Sequence, residues 1–241
     1  RAGERLMLVR DTFPTYTLHN ELHASNVINH ICDLLGQNID KLSALEMAIL
    51  LLSAYYHDIG MVFTDEERHT IDKTPNYKIF LEQNPRARVM VAENDNKPSD
   101  EVILWYCRWS HPKRANEILC EEKILWEGND ISQAVGDVCE SHGSNVSDLL
   151  NSRFQTDYWG SADLRFCAIL LRLGDILDFD DTRTPEEVYK YLGYSDHQAR
   201  GFHEEWGKHL ASRGFDFCNS GNENYELIFR ATPNEPSVEY N

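Results

Sequence analysis

Apolar residues recur at helical spacing along most of the chain, and this pattern predicts a series of α-helices. The apolar positions that fall on one face of the stretch ELHASNVINHICDLLG are Val27, Ile28, Ile31, Leu34 and Leu35. Gly36 is suited to end that helix. The next stretch, SALEMAILLLSAYYHD, is apolar nearly all round, which is typical of a central helix. Ser43 and Glu46 have the spacing of a capping box at its start.

The rest of the body is predicted to be helical as well. A helical region begins with TDEERHTIDKTPNYKIFLEQN and is interrupted near Pro75, and a polar loop follows at 92–100. Two helices, EVILWYCRW and PKRANEILCEE, are predicted next, with Pro112 at the first position of the second. The remaining predicted helices are DISQAVGDVCESHG, which ends at Gly143, then SADLRFCAILLRLGDILDF, TPEEVYKYL and SDHQARGFHEEWGKHLAS.

The C-terminal tail follows an alternating pattern instead. Its alternating apolar residues, on the two sides of a Gly/Asn turn, are Phe215, Phe217, Tyr225, Leu227 and Phe229. This spacing predicts a β-hairpin. The sequence therefore predicts an all-α protein, with a helical domain over residues 1–210. A small β element, or the start of a following region, is predicted over 211–241.

Composition and charge narrow the class of protein. The chain has 241 residues, is 41% hydrophobic and 26% charged, and carries a formal charge of −17. Such a surface disfavours binding to long duplex nucleic acid. No apolar run approaches the roughly 20 residues of a membrane span, and no signal peptide is recognisable. The start at Arg1 rather than Met suggests processing or trimming. The six cysteines are scattered and form no CxxC pair, which disfavours a zinc–thiolate site and fits a reducing compartment, so a cytoplasmic location is expected.

Candidate chemistry begins with the sequence YYHDIG, where His57 stands beside Asp58 at the end of the central helix. Other residues of the same ligand types recur along the chain: His19 and His23 in YTLHNELHASN, His111 in RWSHPKRAN, His142 in CESHG, and Asp175 in LLRLGDILDFDD. A lone carboxylate inside an apolar helix, such as that of Asp175, is costly to bury without a partner. Mixed imidazole and carboxylate ligands suit Mn, Fe, Co, Ni or Zn better than Ca or Mg.

Several other residues are expected to have ordinary structural roles. Five histidines are left without a functional assignment: His30, His69, His197, His203 and His209. Three aspartates are expected to cap a helix end or to be solvated: Asp178, Asp180 and Asp181. The sequence HNELH differs from the HExxH zinc motif in the position of Glu21, and we therefore reject a zincin interpretation.

The ordered set of ligands resembles the HD superfamily of metal-dependent phosphohydrolases, over residues 16 to about 185. The matching positions are His23, the pair His57–Asp58, Asp175, and two further histidines of dinuclear members, His111 and His142. The stretches YTLHNELHASNV and LLRLGDILDFDDTRTPEEV look particularly like the HD branch often fused to chaperone-type ATPase domains. The resemblance implies an all-α HD fold, and an attached or associated ATPase domain becomes an expected partner.

The resemblance also implies a metal centre. His23, His57, Asp58 and Asp175 would form a first metal site, and Asp58 would bridge to a second ion held by His111 and His142. A metal-bound hydroxide would then attack a phosphate ester of a nucleotide-like substrate. The chain lacks the GYP signature of cyclic-dinucleotide phosphodiesterases.

Catalytic and substrate-binding roles follow from the same comparison and from charge. Asp58, His111 and Arg114 are expected to be catalytic. The residues expected to contact the substrate are Lys113, Arg114, Arg172 and His19, with Arg183 as a further candidate, because Arg side chains match phosphate oxygens.

A second interpretation stays open: a regulatory module that binds nucleotide or metal and controls an attached domain. A nuclease acting on short single strands is a third. Metal identity and number, substrate and oligomeric state are left open by the sequence.

Overall fold

The segments with helical spacing form α-helices that pack around a central one, and the computed structural model describes residues 2–9, 19–184, 200–219 and 225–233. In chain order the helices are α1 (Ala2–Leu6), α2 (Glu21–Leu35), α3 (Ala44–Tyr56), α4 (Asp65–Thr70), α5 (Pro75–Gln83), α6 (Pro85–Glu93), α7 (Asp100–Glu122), α8 (Ser132–Ser141), α9 (Leu164–Leu177) and α10 (Arg200–Ala211). The strands are β1 (Leu125–Trp126), β2 (Asn129–Asp130), β3 (Ser212–Asn219) and β4 (Tyr225–Ala231). The predicted all-α fold with a C-terminal hairpin is confirmed.

The central helix α3 and helix α9 run side by side in the same direction. Ser43 Oγ accepts a hydrogen bond from Glu46 N (3.1 Å), and Ser43 N donates to the Glu46 carboxylate (2.8 Å), which forms the predicted capping box. The other oxygen of Glu46 accepts from Asp163 N (2.9 Å), directly before α9 begins. Because the two helices start together and have similar lengths, their C-terminal ends also meet, and both ends carry predicted metal ligands.

The main core lies between α2, α3, α8 and α9. Side chains with no exposed surface include Val27, Ile49, Val135 and Leu171, one from each of these helices. Burying a side chain of this size stabilises the fold by about 1.5–3 kcal/mol. A second apolar cluster, around Phe80, packs α5 and α6 against the first half of α7. Helix α7 therefore joins both clusters.

Helices α2 and α9 approach closely at a glycine. A Cβ atom on Gly174 would lie 2.9 Å from the Val27 carbonyl oxygen and 2.9 Å from a side-chain carbon of Ile31. Such distances are too short for a carbon atom, so the contact between these helices requires glycine at this position. The contact brings the last turn of α9, with Asp175, beside the first half of α2, with His23.

The prediction that a new helix starts at Pro112 is wrong. Pro112 is buried inside α7, a continuous helix of 23 residues. Proline interrupts a helix because it lacks an N–H for the carbonyl four residues earlier, here that of Arg108. In this chain the carbonyl oxygen of Arg108 accepts a hydrogen bond from the ring of His111 instead (2.6 Å).

Other predicted elements compare as follows. The break near Pro75 is confirmed, since Pro75 is the first residue of α5 and Thr74 caps that helix. Helix α6 and the short hairpin β1–β2 were not predicted. Strands β3 and β4 pair antiparallel, with Phe215 opposite Phe229. The predicted Gly/Asn turn lies outside the described residues. The same holds for His197 and for the helix predicted from TPEEVYKYL, of which only the first residue is described. The domain boundary near residue 211 stays a prediction.

Within the described residues, no single helix combines the length and apolarity that crossing a membrane requires. The bent pair Ala44–Met61 and Asp65–Lys73 meets that requirement by length and composition only. All six cysteines are free thiols.

Candidate metal centre

The structure brings the six predicted metal ligands to one place at the ends of four helices and the middle of a fifth. His23 lies in the first turn of α2, His57 and Asp58 directly follow α3, His111 lies within α7, His142 directly follows α8, and Asp175 lies in the last turn of α9. The six side chains divide into two groups of three, and in each group one ligand atom per residue lies within 4.8 Å of the others.

The first group is His23, His57 and Asp175. The Nε2 atoms of His23 and His57 are 3.1 Å apart. The Oδ1 atom of Asp175 lies 3.3 Å from the Nε2 of His23 and 3.7 Å from that of His57. Two imidazole nitrogens and a carboxylate oxygen thus face a common point.

The second group is Asp58, His111 and His142. The Nε2 atoms of the two histidines are 2.7 Å apart. The Oδ1 atom of Asp58 lies 3.5 Å from the Nε2 of His111 and 3.9 Å from that of His142. This group repeats the chemistry of the first one, with two imidazoles and one carboxylate.

Asp58 faces both groups, one oxygen toward each. Its Oδ1 belongs to the second group, whereas its Oδ2 lies 3.4 Å from His23 Nε2 and 3.2 Å from His57 Nε2. The Oδ2 atom is buried and, among the described residues, has no hydrogen-bond partner. A buried carboxylate oxygen without a partner is costly unless a cation binds it. The site therefore fits a metal ion at this oxygen.

The turn that carries Asp58 packs tightly against the backbone of α7. A Cβ atom on Gly60 would lie 2.7 Å from the backbone nitrogen of Ala115 and closer still to the carbonyl oxygen of His111. The glycine of the HDIG sequence thus allows the contact that places Asp58 beside His111.

Backbone carbonyls orient three of the four histidines. The Nδ1 of His57 donates to the carbonyl of Ala54 (2.9 Å), and the Nδ1 of His142 donates to that of Cys139 (2.5 Å). His111 uses the carbonyl that Pro112 leaves without an N–H partner. Because a carbonyl can only accept, each of these rings carries a proton on Nδ1, and in the neutral form of the ring the Nε2 lone pair faces the centre. This is the tautomer that binds a metal through Nε2.

His23 has a different orienting partner. Its Nδ1 lies 2.5 Å from the Oδ2 of Asp178, the residue that ends α9. Asp178 was expected to cap a helix end or to be solvated. It does stand at the C-cap position of α9, but it is not solvated, because only 1% of its surface is exposed. The expected capping role is confirmed for Asp180, which accepts from Thr182 N (2.9 Å). Asp178 was missed because it stands in an aspartate-rich sequence, and its only sequence signal was the three-residue spacing from Asp175.

The paired Nε2 atoms give a second reason to expect a cation. Two nitrogen lone pairs that face one another at 2.7 Å or 3.1 Å repel unless a proton or a metal ion lies between them. Each Nδ1 already donates to an acceptor, so turning a ring to relieve this repulsion would break that hydrogen bond.

The two buried carboxylates of the centre, those of Asp58 and Asp175, have lowered pKa values and are therefore negatively charged at neutral pH. Burial opposes ionisation of Asp58, but the positive charges of His57 and His19 hold its pKa well below the usual value. Asp175 is likewise lowered in pKa, against burial, by its hydrogen bonds to His23 and His57. In return these carboxylates raise the pKa of His57 well above its usual value, although burial lowers it. Burial also lowers the pKa of His23, but its hydrogen bonds with Asp175, Asp178 and Asp58 raise it to about 9.

His142 behaves in the opposite way. Burial and the neighbouring His111 and His57 lower its pKa to about 4. Its ring is therefore neutral at pH 7, as a metal ligand must be.

The residues predicted to contact substrate have other contacts. The His19 ring lies edge-on to His23, with 5.9 Å between centroids, so it borders the centre. Arg114 donates to the Val62 carbonyl (2.9 Å), pairs with Glu67 (2.7 Å) and stacks on Phe63. Its role in phosphate binding stays a prediction.

Two other predicted cations, Lys113 and Arg172, also have partners. Lys113 is exposed, and its ammonium lies 3.9 Å from Glu117. Arg172 donates to the carbonyls of Ser141 and Ser144 (2.7 Å for Ser144). Arg172 thus binds backbone carbonyls on both sides of His142 at the end of α8, and these contacts hold in place the backbone that carries His142.

The helical bundle and the two His/Asp groups together define an HD-type domain. The sequence model of the HD-CE family, an HD-domain family, matches residues 13–240, and the chain belongs to this family. No curated protein and no solved structure matches the chain. The predicted membership of the HD superfamily is confirmed. The family and the two ligand groups fit a divalent metal and an HD metalloenzyme.

Proposed function

We propose that the chain is a metal-dependent phosphohydrolase or phosphodiesterase that cleaves a phosphate ester of a nucleotide-like substrate. The observation that carries the proposal is the position of Asp58, whose two oxygens face two separate His/Asp groups while one of them lacks a hydrogen-bond partner. Two metal ions held close together, as one shared carboxylate would hold them, are used by phosphatases and nucleases to stabilise both the attacking and the leaving oxygen.

His23, His57 and Asp175 would hold one ion, His111 and His142 the other, and Asp58 both. When bound, such ions supply an activated water and neutralise charge on phosphoryl oxygens. Ligands of this type suit Mn, Fe, Co, Ni or Zn. The Nδ1 acceptors behind the histidines fix the rings before any ion binds, so little reorganisation accompanies binding.

The centre is open on one side. The side chain of Asp175 is 25% exposed and that of His111 is 12% exposed, whereas that of His57 is 2% exposed. A substrate would therefore approach past Asp175 and His111, while His57 forms the closed floor of the site. His111 would contact the reacting phosphate from this side, which is the reason to retain it as catalytic.

In this proposal Arg114 would bind a substrate phosphate by an exchange of partners. It lies one helical turn after His111, and its present partner Glu67 is partly exposed on α4. A phosphate group could replace the Glu67 carboxylate without movement of the helix that carries Arg114. Lys113 and Arg172 are weaker candidates, since Lys113 pairs with Glu117 at the surface and Arg172 binds carbonyls at a helix end. His19 borders the centre and is kept as a further candidate.

The charge of the chain favours small substrates. At −17 the surface repels long polyanions, whereas a mononucleotide or a short single strand meets only the local field of the centre. We therefore propose a phosphorylated small molecule or nucleotide as the substrate. An attached or associated ATPase domain, assembly into oligomers and a cytoplasmic location belong to the same proposal.

The experiment compares metal content and turnover in matched variants. Wild-type protein grown with Mn²⁺ and Fe²⁺ is analysed for metal per chain, beside Asp58→Asn, His57→Ala and the surface control Asp40→Asn. Asp40 is exposed on the 3₁₀ segment Gly36–Lys41. The same proteins are screened for phosphate release from nucleotides and phosphodiesters, with and without a chelator.

We expect two ions in the wild type and the control, loss of at least one ion in the other two, and turnover only where both ions are present. Metal binding without turnover of any tested ester would instead favour a regulatory module that controls an attached domain. A wild type that binds no metal under any loading condition would refute the proposed centre.

A further inference from the structure

We propose that Asp178 is a positioning residue of the metal centre, whose carboxylate fixes the ring of His23 so that its Nε2 presents a lone pair to the first group. The inference rests on the proposed metal-dependent function and adds a residue outside the six ligands. Asp178 does not itself face the ion, because it contacts the ring nitrogen on the far side from Nε2.

His23 needs such a partner because of its place in the helix. The other three histidines donate to carbonyls three residues earlier in their own helices. Three residues before His23 is Asn20, the cap of α2, whose carbonyl accepts from Ala24 N (3.1 Å) and whose side chain accepts from the N–H of His23 (3.2 Å). The acceptor for the ring of His23 comes from another helix instead.

Asp178 is itself held in place. Its Oδ1 accepts from the side-chain amide of Asn26 (2.9 Å), which stands one turn after His23 on α2. The Nε of Arg183 lies 3.9 Å from Oδ2, and the Nε2 of His30 lies 4.0 Å from Oδ1. A carboxylate buried this deeply is costly unless its hydrogen bonds are satisfied, and here both oxygens have donors.

The arrangement has two consequences for His23. The carboxylate accepts the Nδ1 proton, so it fixes the tautomer that leaves Nε2 free. It also polarises the ring, which makes Nε2 a stronger ligand. Loss of a partner of this kind lowers metal affinity by about 10-fold to 100-fold. The effect is confined to the first group, because the second group has its own carbonyl acceptors.

The test is a titration with Mn²⁺ alone, in which electron paramagnetic resonance counts the free ion. Asp178→Asn is compared with wild type and with Asp181→Asn, a matched change at an exposed aspartate three residues later. We expect the affinity of one site to fall about 10-fold to 100-fold in Asp178→Asn, with the other site unchanged. We expect no change at either site in Asp181→Asn.

A double-mutant cycle separates positioning from general structural damage. In a His23→Ala background, Asp178→Asn should cause no further loss of affinity, since its effect passes through the missing ring. Equal losses at both sites, or additive losses in the cycle, would overturn the inference. If Asp178→Asn does not fold, Asn26→Ala is tested in its place. This change removes the amide that donates to Asp178 Oδ1, and we expect it to lower the Mn²⁺ affinity of the same site by a smaller factor. Unchanged binding in that variant would also overturn the inference.

Failure here is distinct from failure of the proposed function. Two normal Mn²⁺ sites in Asp178→Asn would refute the positioning role and leave the phosphohydrolase proposal standing. A wild type that binds no Mn²⁺ would refute both.

Discussion

Replacing Pro112 by alanine should stabilise the protein and weaken metal binding at the proposed second site, formed by Asp58, His111 and His142. Pro112 lies inside α7, and its missing N–H leaves the Arg108 carbonyl to the ring of His111. In Pro112→Ala the new N–H competes for that carbonyl. The ring would then be less firmly oriented, although an oxygen with two lone pairs can accept two donors. We therefore expect a loss of about 10-fold in affinity at the second site, the lower end of the range for lost orienting partners.

The stability change can be worked out from the same contacts. Removal of proline from a helix interior is worth about 3 kcal/mol by helix propensity. The substitution also removes about two buried methylene groups of Pro112 that pack beside Gly143, at about 0.8 kcal/mol each. The net change is about +1 kcal/mol, or an increase of about 2–4 °C in Tm for a domain of this size.

The assay is thermal denaturation of chelator-treated protein together with a Mn²⁺ titration. Pro75→Ala is the control, because Pro75 occupies the first turn of a helix, where no N–H is needed. The control should leave both metal sites unchanged. A Pro112→Ala protein that is less stable than wild type and binds both ions normally would refute the account of α7.

Three further predictions follow from the centre and its surroundings. In metal-free protein the raised pKa of His23 contributes stability that is complete below pH 6.5 and is lost as pH rises toward 9. The free energy of unfolding, measured with denaturant, should therefore fall across that pH range. A free energy that does not change with pH would contradict the positive charge on His23. Gly60→Ala should destabilise the fold by about 1–3 kcal/mol, because the added carbon meets the backbone of α7 at His111, and calorimetry should show a lower Tm. Arg172→Met should weaken the Mn²⁺ site of His142 more than the other site, since it removes the donors that close the end of α8; equal weakening of both would show that Arg172 acts on the whole fold.

The helices and the ligand set could be predicted because their signals are local. The capping box at Ser43 and the apolar run after it define α3, and the HD pair stands at the end of that run. Spacing and residue type were then enough to select His23, His111, His142 and Asp175 as partners. Their ligand atoms lie together, although their role as ligands stays a prediction until an ion is measured.

The partners of the arginines could not be predicted, because they depend on contacts between distant segments. Nothing in the sequence near Arg114 indicates that Glu67 and Val62 occupy its guanidinium. Arg172 similarly meets carbonyls at the end of a different helix. In so acidic a chain an ion pair was as plausible for each arginine as a phosphate contact, but a sequence does not show which carboxylate or carbonyl lies beside it in the fold.

The role of Pro112 was missed for a related reason. A proline ordinarily signals a helix boundary, and the local rule carries no information about a nearby ring that can use the vacated carbonyl. In the structure α7 continues through Pro112, and the ring of His111 donates to the Arg108 carbonyl that the proline leaves without an N–H.

The neutral rings of the centre have a consequence for charge balance. In a metal-loaded site His23, His57, His111 and His142, each with its proton on Nδ1, would add no charge, so the carboxylates of Asp58 and Asp175 would be the ligands that offset the ions. Two divalent ions would then leave an excess of two positive charges, or of one with a bound hydroxide, before the carboxylate of Asp178 behind His23 is counted. The centre would thus form a local positive region in a chain whose formal charge is −17, and a substrate phosphate would be attracted to that region.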